Sequence, residues 1–194
     1  MKSQLQKVKN NMIKDKQLKE KFGIEIKQDI LENPHKAVYL GIGSNVGNRK
    51  NNIIYACYLL NNFCSIYSVS NYYETNSWPN ENYPKYLNII LKCKTKLNPI
   101  LLIKKLKKIQ KKLGRKKNIK NFPRTCDIDI IDFKGLKFQE KNLQVPHPSL
   151  SKRNFVLVPL FEIEKGWIYP KTNTTIDKLI KNLDIKSLRS IKIF

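Results

Sequence analysis

Asp127 and Asp129, in the stretch PRTCDIDIIDF from Pro123 to Phe133, are two carboxylates one residue apart inside an apolar, β-branched run. Side chains alternate along a strand, so the two acids share one face, roughly 7 Å apart, while Ile128 and Ile130 point to the other. Such an oxygen-rich pair suits a hard divalent cation such as Mg²⁺, which binds through one or two carboxylates and completes its shell with substrate phosphate. A solvated edge strand of alternating polarity has the same pattern. Asp132 has the other parity, so without a bulge it stays out of that site and is expected at the strand end, capping or solvated.

The supply of arginine separates these readings. Arg115 and Arg124 bracket the loop ahead of the strand, and Arg153 follows His147 in the next loop. Arginine offers planar, paired donors suited to phosphate, unlike the lysines spread along the chain. Carboxylates for Mg²⁺ beside arginines for phosphate are the equipment of phosphoryl transfer, where positioning and charge neutralisation do most of the catalysis. GxxxxGK[ST] and the kinase glycine-rich signature are both absent. GIGSNVGNR, Gly41 to Arg49, fails the dinucleotide fingerprint, because Val46 stands where its third glycine belongs, and it reads as a turn.

The elements that must hold these residues follow from periodicity. AVYLGIG, Ala37 to Gly43, is a buried strand opening into a loop, and Asn48 caps a helix from Arg49 to Asn61 with Ile53, Ile54, Ala56, Cys57 and Leu60 on its apolar face. CSIYSVSNYYET alternates as a strand, NSWPNENYP is a loop, and KYLNIILKCKT resumes as a strand. Asn98 and Pro99 open the clearest helix, whose face carries Ile100, Ile103, Leu106, Ile109, Gln110 and Leu113 before Gly114 ends it. A basic loop, the acidic strand, a hairpin over KGLKFQEKNLQV, the loop PHPSLSKRN, an apolar helix from Phe155 to Glu164 and a short helix near Ile176 to Leu183 complete the chain. The order strand, helix, strand, strand, helix, strand predicts an α+β fold with a ferredoxin-like βαββαβ core. In that fold a mainly antiparallel sheet has helices packed on one face; here a C-terminal hairpin and helices are added.

Composition bounds the rest. The 194 residues suit one domain at 37–194, preceded by a basic, loosely ordered extension at 1–36, within which Met12 is an alternative start. Lys and Arg number 38 against 15 Asp and Glu, a net charge of +23 that attracts polyanions, although a composition biased to Lys, Asn and Ile gives the same figure. Cys57, Cys64, Cys93 and Cys126 lack CxxC spacing and read as buried free thiols of a reducing cytosol. No run is long and apolar enough for a spanning helix or a secretory signal, so a cytoplasmic protein without membrane contact is expected.

With these pieces in order the chain resembles the 6-hydroxymethyl-7,8-dihydropterin pyrophosphokinases of folate biosynthesis. The resemblance runs from Val38 to about Ile163 and rests on GSNVGNR, YYET, YLN, LGR, PRTCDIDI and VPHPSLSKRNFVLVPLFEI in that order. It implies transfer of diphosphate from ATP to the pterin hydroxymethyl oxygen, releasing AMP, by an enzyme expected to be monomeric and to bind no specific nucleic acid. By that resemblance Asp127 and Asp129 hold two Mg²⁺ ions, and Arg115 and Arg124 lie on mobile loops and neutralise the departing charge. Gln110, His147 and Arg153 join the arginines at ATP, with Ile130 and Val145 near the adenine. Tyr86 and Phe155 match a stacking pair for the pterin, Asn88 the amide that reads its edge, and Thr75 and Trp78 positions that contribute main chain. Taken alone, the two aromatics also read as core.

Three positions depart from the family's pattern: Gln110 where many members carry Glu, Asn121 where some carry an aromatic, and Pro148 where others have Tyr. Gln110 leaves open a non-catalytic scaffold, against which stand the intact Asp pair, the arginines, Asn88 and Phe155. An RNA-binding module would carry K/R-G-F/Y-G/A-F-V-x-F/Y on a central strand, and no segment fits.

Overall fold

The β-branched and aromatic runs pair into one main sheet whose middle strand buries a continuous apolar run, Leu87 and Ile89 to Leu91. The computed structural model describes residues 37–78, 80–115, 122–140 and 143–194, so the N-terminal extension and Asn121 lie outside the described residues. In chain order come β1 (Val38–Ser44), α1 (Arg49–Leu60), β2 (Ser65–Val69), β3 (Tyr73–Thr75), β4 (Tyr86–Lys94), α2 (Pro99–Lys112) and β5 (Asp127–Phe133). The hairpin β6 (Phe138–Glu140) and β7 (Leu143–Val145) follows, then α3 (Asn154–Ile163). The pair β8 (Ile168–Tyr169) and β9 (Thr174–Thr175), α4 (Ile176–Lys181), α5 (Ile185–Ser190) and β10 (Lys192–Ile193) close the chain.

The sheet order is β10-β3-β4-β1-β5, with β2 also on β4, and every pairing is antiparallel. This is the ferredoxin-like arrangement, in which β1 and β4 form the centre. Leu87, Ile89, Ile90 and Leu91 of β4 are all fully or almost fully buried, and each contributes about 1.5–3 kcal/mol by leaving water. The predicted single strand CSIYSVSNYYET is instead two, because Ser70 interrupts it: its amide donates to Ile90 O at 3.0 Å while its hydroxyl accepts from Ile90 N at 2.9 Å.

Helices α1 and α2 cover one face through Val38, Leu40, Ile42, Ile128 and Ile130. The caps form as the sequence predicts: Asn48 accepts from Asn51 N at 3.0 Å and Asn98 from Leu101 N at 2.9 Å, with Pro99 in the first turn. On α2 the buried stripe is Leu102, Leu106, Ile109 and Gln110, so it is rotated toward Leu102 and leaves Ile100 and Ile103 at its margin. The opposite face, at Tyr39, Ile90 and Ile131, is covered by α3 and α4. The ferredoxin-like helices therefore lie together on one side, as predicted, and the C-terminal helices add a second layer. All four cysteines are buried and free.

Strand β5 carries a bulge. Leu40 faces Ile130 but Tyr39 faces Asp132, so one extra residue is accommodated and the parity after Ile130 is reversed. Asp132 thereby joins the face of Asp127 and Asp129 without joining their cleft. It is buried, accepts from Gly135 N at 3.0 Å to close the following turn, and accepts from Trp167 Nε1 at 2.8 Å. The expectation of a cap is met; the alternative, a solvated end, is not.

Candidate active site

The acidic end of β5 lies beside the end of β1, where Gly43 pairs with Asp127 and Gly41 with Asp129. Glycine is required at position 43, because an added Cβ would sit 2.8 Å from Asn88 Oδ1 and 3.3 Å from Tyr86 Cδ1. The missing side chains at 41 and 43 make room for neighbours: Ile131 and Ile90 close over Gly41, and Asn88 and Tyr86 close over Gly43, beside the carboxylates of β5. Asn88 is buried, and its amide nitrogen donates to Thr75 Oγ1 at 3.0 Å, so Oδ1 is fixed as the atom turned toward Gly43. Loss of water raises the Tyr86 hydroxyl's pKa; Arg124 opposes the rise and Asp127 adds to it, so that ring sits against the charged cleft.

Asp127 is gripped from two sides, by Arg115 Nη1 at 2.5 Å on one oxygen and by Arg124 Nη1 at 3.1 Å on the other. Asp129 meets Arg153 Nη1 at 3.4 Å, and the Arg153 guanidinium lies 5.5 Å from the centre of the Phe155 ring. Gln110 is buried; its oxygen accepts from Arg115 and its nitrogen donates to Ile128 O at 3.5 Å. It therefore orients Arg115 from behind, a task for which an amide is suited. Ile130 and Val145 do not bring their side chains to the cleft: both are buried in the core under α1 and α2, so only main chain is available to a ligand there. Trp78 is 77% exposed, beside the cleft's loop rather than in the core.

The sequence reading missed Asn45. Its side chain is buried, donates to Ser77 Oγ at 3.2 Å and Pro84 O at 3.1 Å, and accepts from Arg124 N at 2.7 Å, while its own amide donates to Arg124 O at 3.1 Å. One amide thus ties the loop ahead of Tyr86 to the loop that carries Arg124. The signal was present as an amide in the strand-to-helix turn GSNVGNR, read there only as a turn. Phe122, whose ring meets Tyr83 edge-on at 5.8 Å, was missed as well.

Two ionisations at this site are displaced in opposite directions. Loss of water and the neighbouring Asp127 push Asp129 up to about 6, with Arg153 and Arg115 opposing. Burial and Arg153 push His147 down to about 4, and because its Nδ1 accepts from Ser149 N at 3.1 Å, the neutral ring keeps its proton on Nε2. Folded Asp129 holds its proton more tightly than the unfolded chain does, so its contribution to stability is lost as pH rises from 3.8 through about 6. Folded His147 holds its proton less tightly, so its contribution is present above 6.5 and lost as pH falls through about 4. In urea melts of metal-free protein across this range, Asp129→Asn will make stability climb more steeply with pH, and His147→Gln will flatten or reverse the climb. Parallel profiles for the two variants would contradict both assignments.

The donor set fits a hard cation. Asp127 and Asp129 offer oxygen only, their mutual repulsion raises one of them, and a divalent charge between them would relieve it. Among the described residues no third acid, His or Cys completes a cage, which suits an ion that keeps water and phosphate oxygens in its shell.

Paired carboxylates ringed by arginines on a ferredoxin-like sheet define a phosphoryl-transferring enzyme. Residues 39–165 match the model of the family described as 7,8-dihydro-6-hydroxymethylpterin-pyrophosphokinase (HPPK). Similarity is also found to the 2-amino-4-hydroxy-6-hydroxymethyldihydropteridine pyrophosphokinase of Aquifex aeolicus, 47% identical over 133 residues that cover 69% of this chain and 83% of the relative. The folic acid synthesis protein FOL1 of Dictyostelium discoideum is 36% identical over 146 residues, covering 75% of this chain and 22% of that one. Among solved structures, wild-type HPPK-DHPS of Plasmodium falciparum with SDX-DHP has the same fold at a TM-score of 0.58 and 16% identity, covering 75% of this chain and 43% of that one. The chain belongs to the HPPK family, and its activity is the one for which that family is named: transfer of diphosphate from ATP to 6-hydroxymethyl-7,8-dihydropterin, giving AMP and the pterin diphosphate in folate biosynthesis.

Proposed function

We propose that Asp127 and Asp129 are the Mg²⁺ ligands of this pyrophosphokinase, with ions there screening the triphosphate's charge. The single observation that carries this reading is the carboxylate pair facing two glycines across the strand and ringed by Arg115, Arg124 and Arg153. The pterin lies over Gly43, with its edge read by Asn88 Oδ1 and its ring between Tyr86 and Phe155, and with Thr75 and Trp78 at the border. Arg115, Arg124, Arg153 and the Nε2 proton of His147 hold phosphate oxygens, Gln110 steadies Arg115, and the main chain at Ile130 and Val145 borders the base.

In the reaction, the pterin hydroxymethyl oxygen bonds to the β-phosphorus as the bond from that phosphorus to the α,β-bridging oxygen breaks. The hydroxyl's proton passes to solvent water, and AMP leaves with the electron pair of the broken bond. Arg115 and Arg124 then exchange part of their hold on Asp127 for the phosphate oxygens, where charge accumulates. Among the described residues no helix is long and apolar enough to cross a membrane, which supports a cytoplasmic enzyme. A monomer with one catalytic domain at 37–194 completes the proposal. An assay of AMP release tests it: formation must require both the hydroxymethyldihydropterin and Mg²⁺. AMP appearing equally without either one would refute the corresponding part.

A further inference from the structure

Arg49 is the first residue of α1, where a cation opposes the positive end of the helix dipole. Its place there is explained by what its head group holds. Arg49 Nη1 donates to Lys85 O at 2.8 Å and pairs with Glu74 Oε1 at 2.9 Å. Lys85 immediately precedes Tyr86, and Glu74 immediately precedes Thr75, which pairs with Tyr86 across the ladder. One guanidinium therefore joins both ends of the loop between β3 and β4, at the two residues next to the pterin contacts. A second face of the same group lies 5.5 Å from the Phe194 ring centre, and β10 holds Phe194 there by pairing Lys192 with Glu74 and Ile193 with Tyr73.

The loop has further ties, from Ser77 Oγ to Pro84 O at 2.6 Å, from Lys85 to Glu74 at 3.7 Å and between the rings of Tyr83 and Phe122, but Arg49 is the group that bridges Glu74 and Lys85 from α1. A solvent-open hollow of about 480 Å³ lies beside it, lined by Gly47, Arg49, Glu74, Pro84 and Lys85 among others. On the side that borders this hollow, polar anchors place the chain. Asn45 supplies anchors at Ser77 and Pro84, and Arg49 supplies those at Lys85 and Glu74.

We propose that Arg49 is a positioning residue for the pterin pocket: by holding Lys85 O and the Glu74 carboxylate together it fixes Tyr86 against Thr75, and it sets affinity for the pterin but not for ATP. This rests on the reading that Thr75, Tyr86 and Asn88 receive the pterin. The test uses the full chain. Binding of hydroxymethyldihydropterin is measured by fluorescence in the presence of a non-hydrolysable ATP analogue and Mg²⁺, and binding of the analogue is measured separately. Arg49→Met should weaken pterin binding about tenfold, as loss of charge-assisted hydrogen bonds does, with analogue affinity unchanged. Arg49→Lys should recover part of the loss, and the milder Glu74→Gln should show a smaller loss of the same kind. A merely structural role would weaken both ligands together, and that result would overturn the proposal, as would pterin affinity within about twofold of the parent in Arg49→Met. Asn88→Ala separates the two layers. If it leaves pterin affinity intact, the pocket reading fails and the proposal with it; if Asn88→Ala weakens binding while Arg49→Met does not, the role of Arg49 alone fails.

Discussion

Alanine at Asp127 or Asp129 will reduce turnover on the order of a thousandfold, because each change removes an oxygen of the proposed metal site, where the triphosphate's charge must be met. The two variants should nevertheless fold. Asp129 is already pushed up to about 6, by loss of water inside the cleft and by the charge of Asp127. Its ionised form is thus a liability in the metal-free fold. Asp129→Asn should equal or exceed the parent in stability at neutral pH, with turnover lost. This combination marks a residue kept for function at the expense of the fold. Asp127 differs, since its removal leaves Arg115 and Arg124 without their shared carboxylate, and some stability should go with the activity. AMP release together with urea midpoints checks both statements. Activity within about tenfold of the parent in Asp129→Ala would remove that residue from the metal site.

The third acid of the same strand should behave in the opposite way. Asp132→Ala is expected to cost about 3 kcal/mol, because it strands the buried Trp167 N–H and opens the turn at Gly135. Turnover per folded molecule should stay near the parent's, since Asp132 lies beyond the bulge and binds structure rather than ligand. Asp132→Asn should lose less, an amide oxygen still accepting one of the two donors. Denaturant unfolding followed by Trp167 fluorescence measures the cost directly. An Asp132→Ala protein as stable as the parent but inactive would reverse the division of labour among the three acids.

That division was half legible in the sequence. Strand parity sorted Asp127 and Asp129 onto one face, and caps at Asn48 and Asn98 set the starts of the helices, because these are local rules obeyed by neighbouring residues. The bulge at Ile130 was not legible: whether a strand absorbs an extra residue depends on its partner, here the Tyr39–Leu40 step of β1. The two-residue strands β8, β9 and β10 were invisible for a related reason, since pairings so short are set by tertiary contact rather than by alternation. On α2, several leucines and isoleucines permit more than one stripe, and packing against the sheet chose Leu102 over Ile100. At the candidate site, the residues proposed to meet a ligand lie in the motifs that carry the family resemblance, while Asn45 and Arg49, which hold the loops bearing those residues, were not singled out. Their partners are separated from them by tens of positions and include main-chain carbonyls, which no side-chain pattern announces.

The grip of Arg115 and Arg124 on Asp127 has a consequence for how the enzyme behaves in a cell full of anions. With a surplus of +23, a bare cleft of this kind would collect any phosphate that passed. Within the cleft, however, opposite charges already meet: Arg115 and Arg124 are paired with Asp127, and Asp127 with them. A free anion must compete with a carboxylate for the arginines, and a free cation must compete with the arginines for the carboxylate. A triphosphate that arrives with its metal offers each group a replacement in the same event. If Asp127 binds metal as proposed, this internal pairing would favour a metal-bound triphosphate over either ion alone.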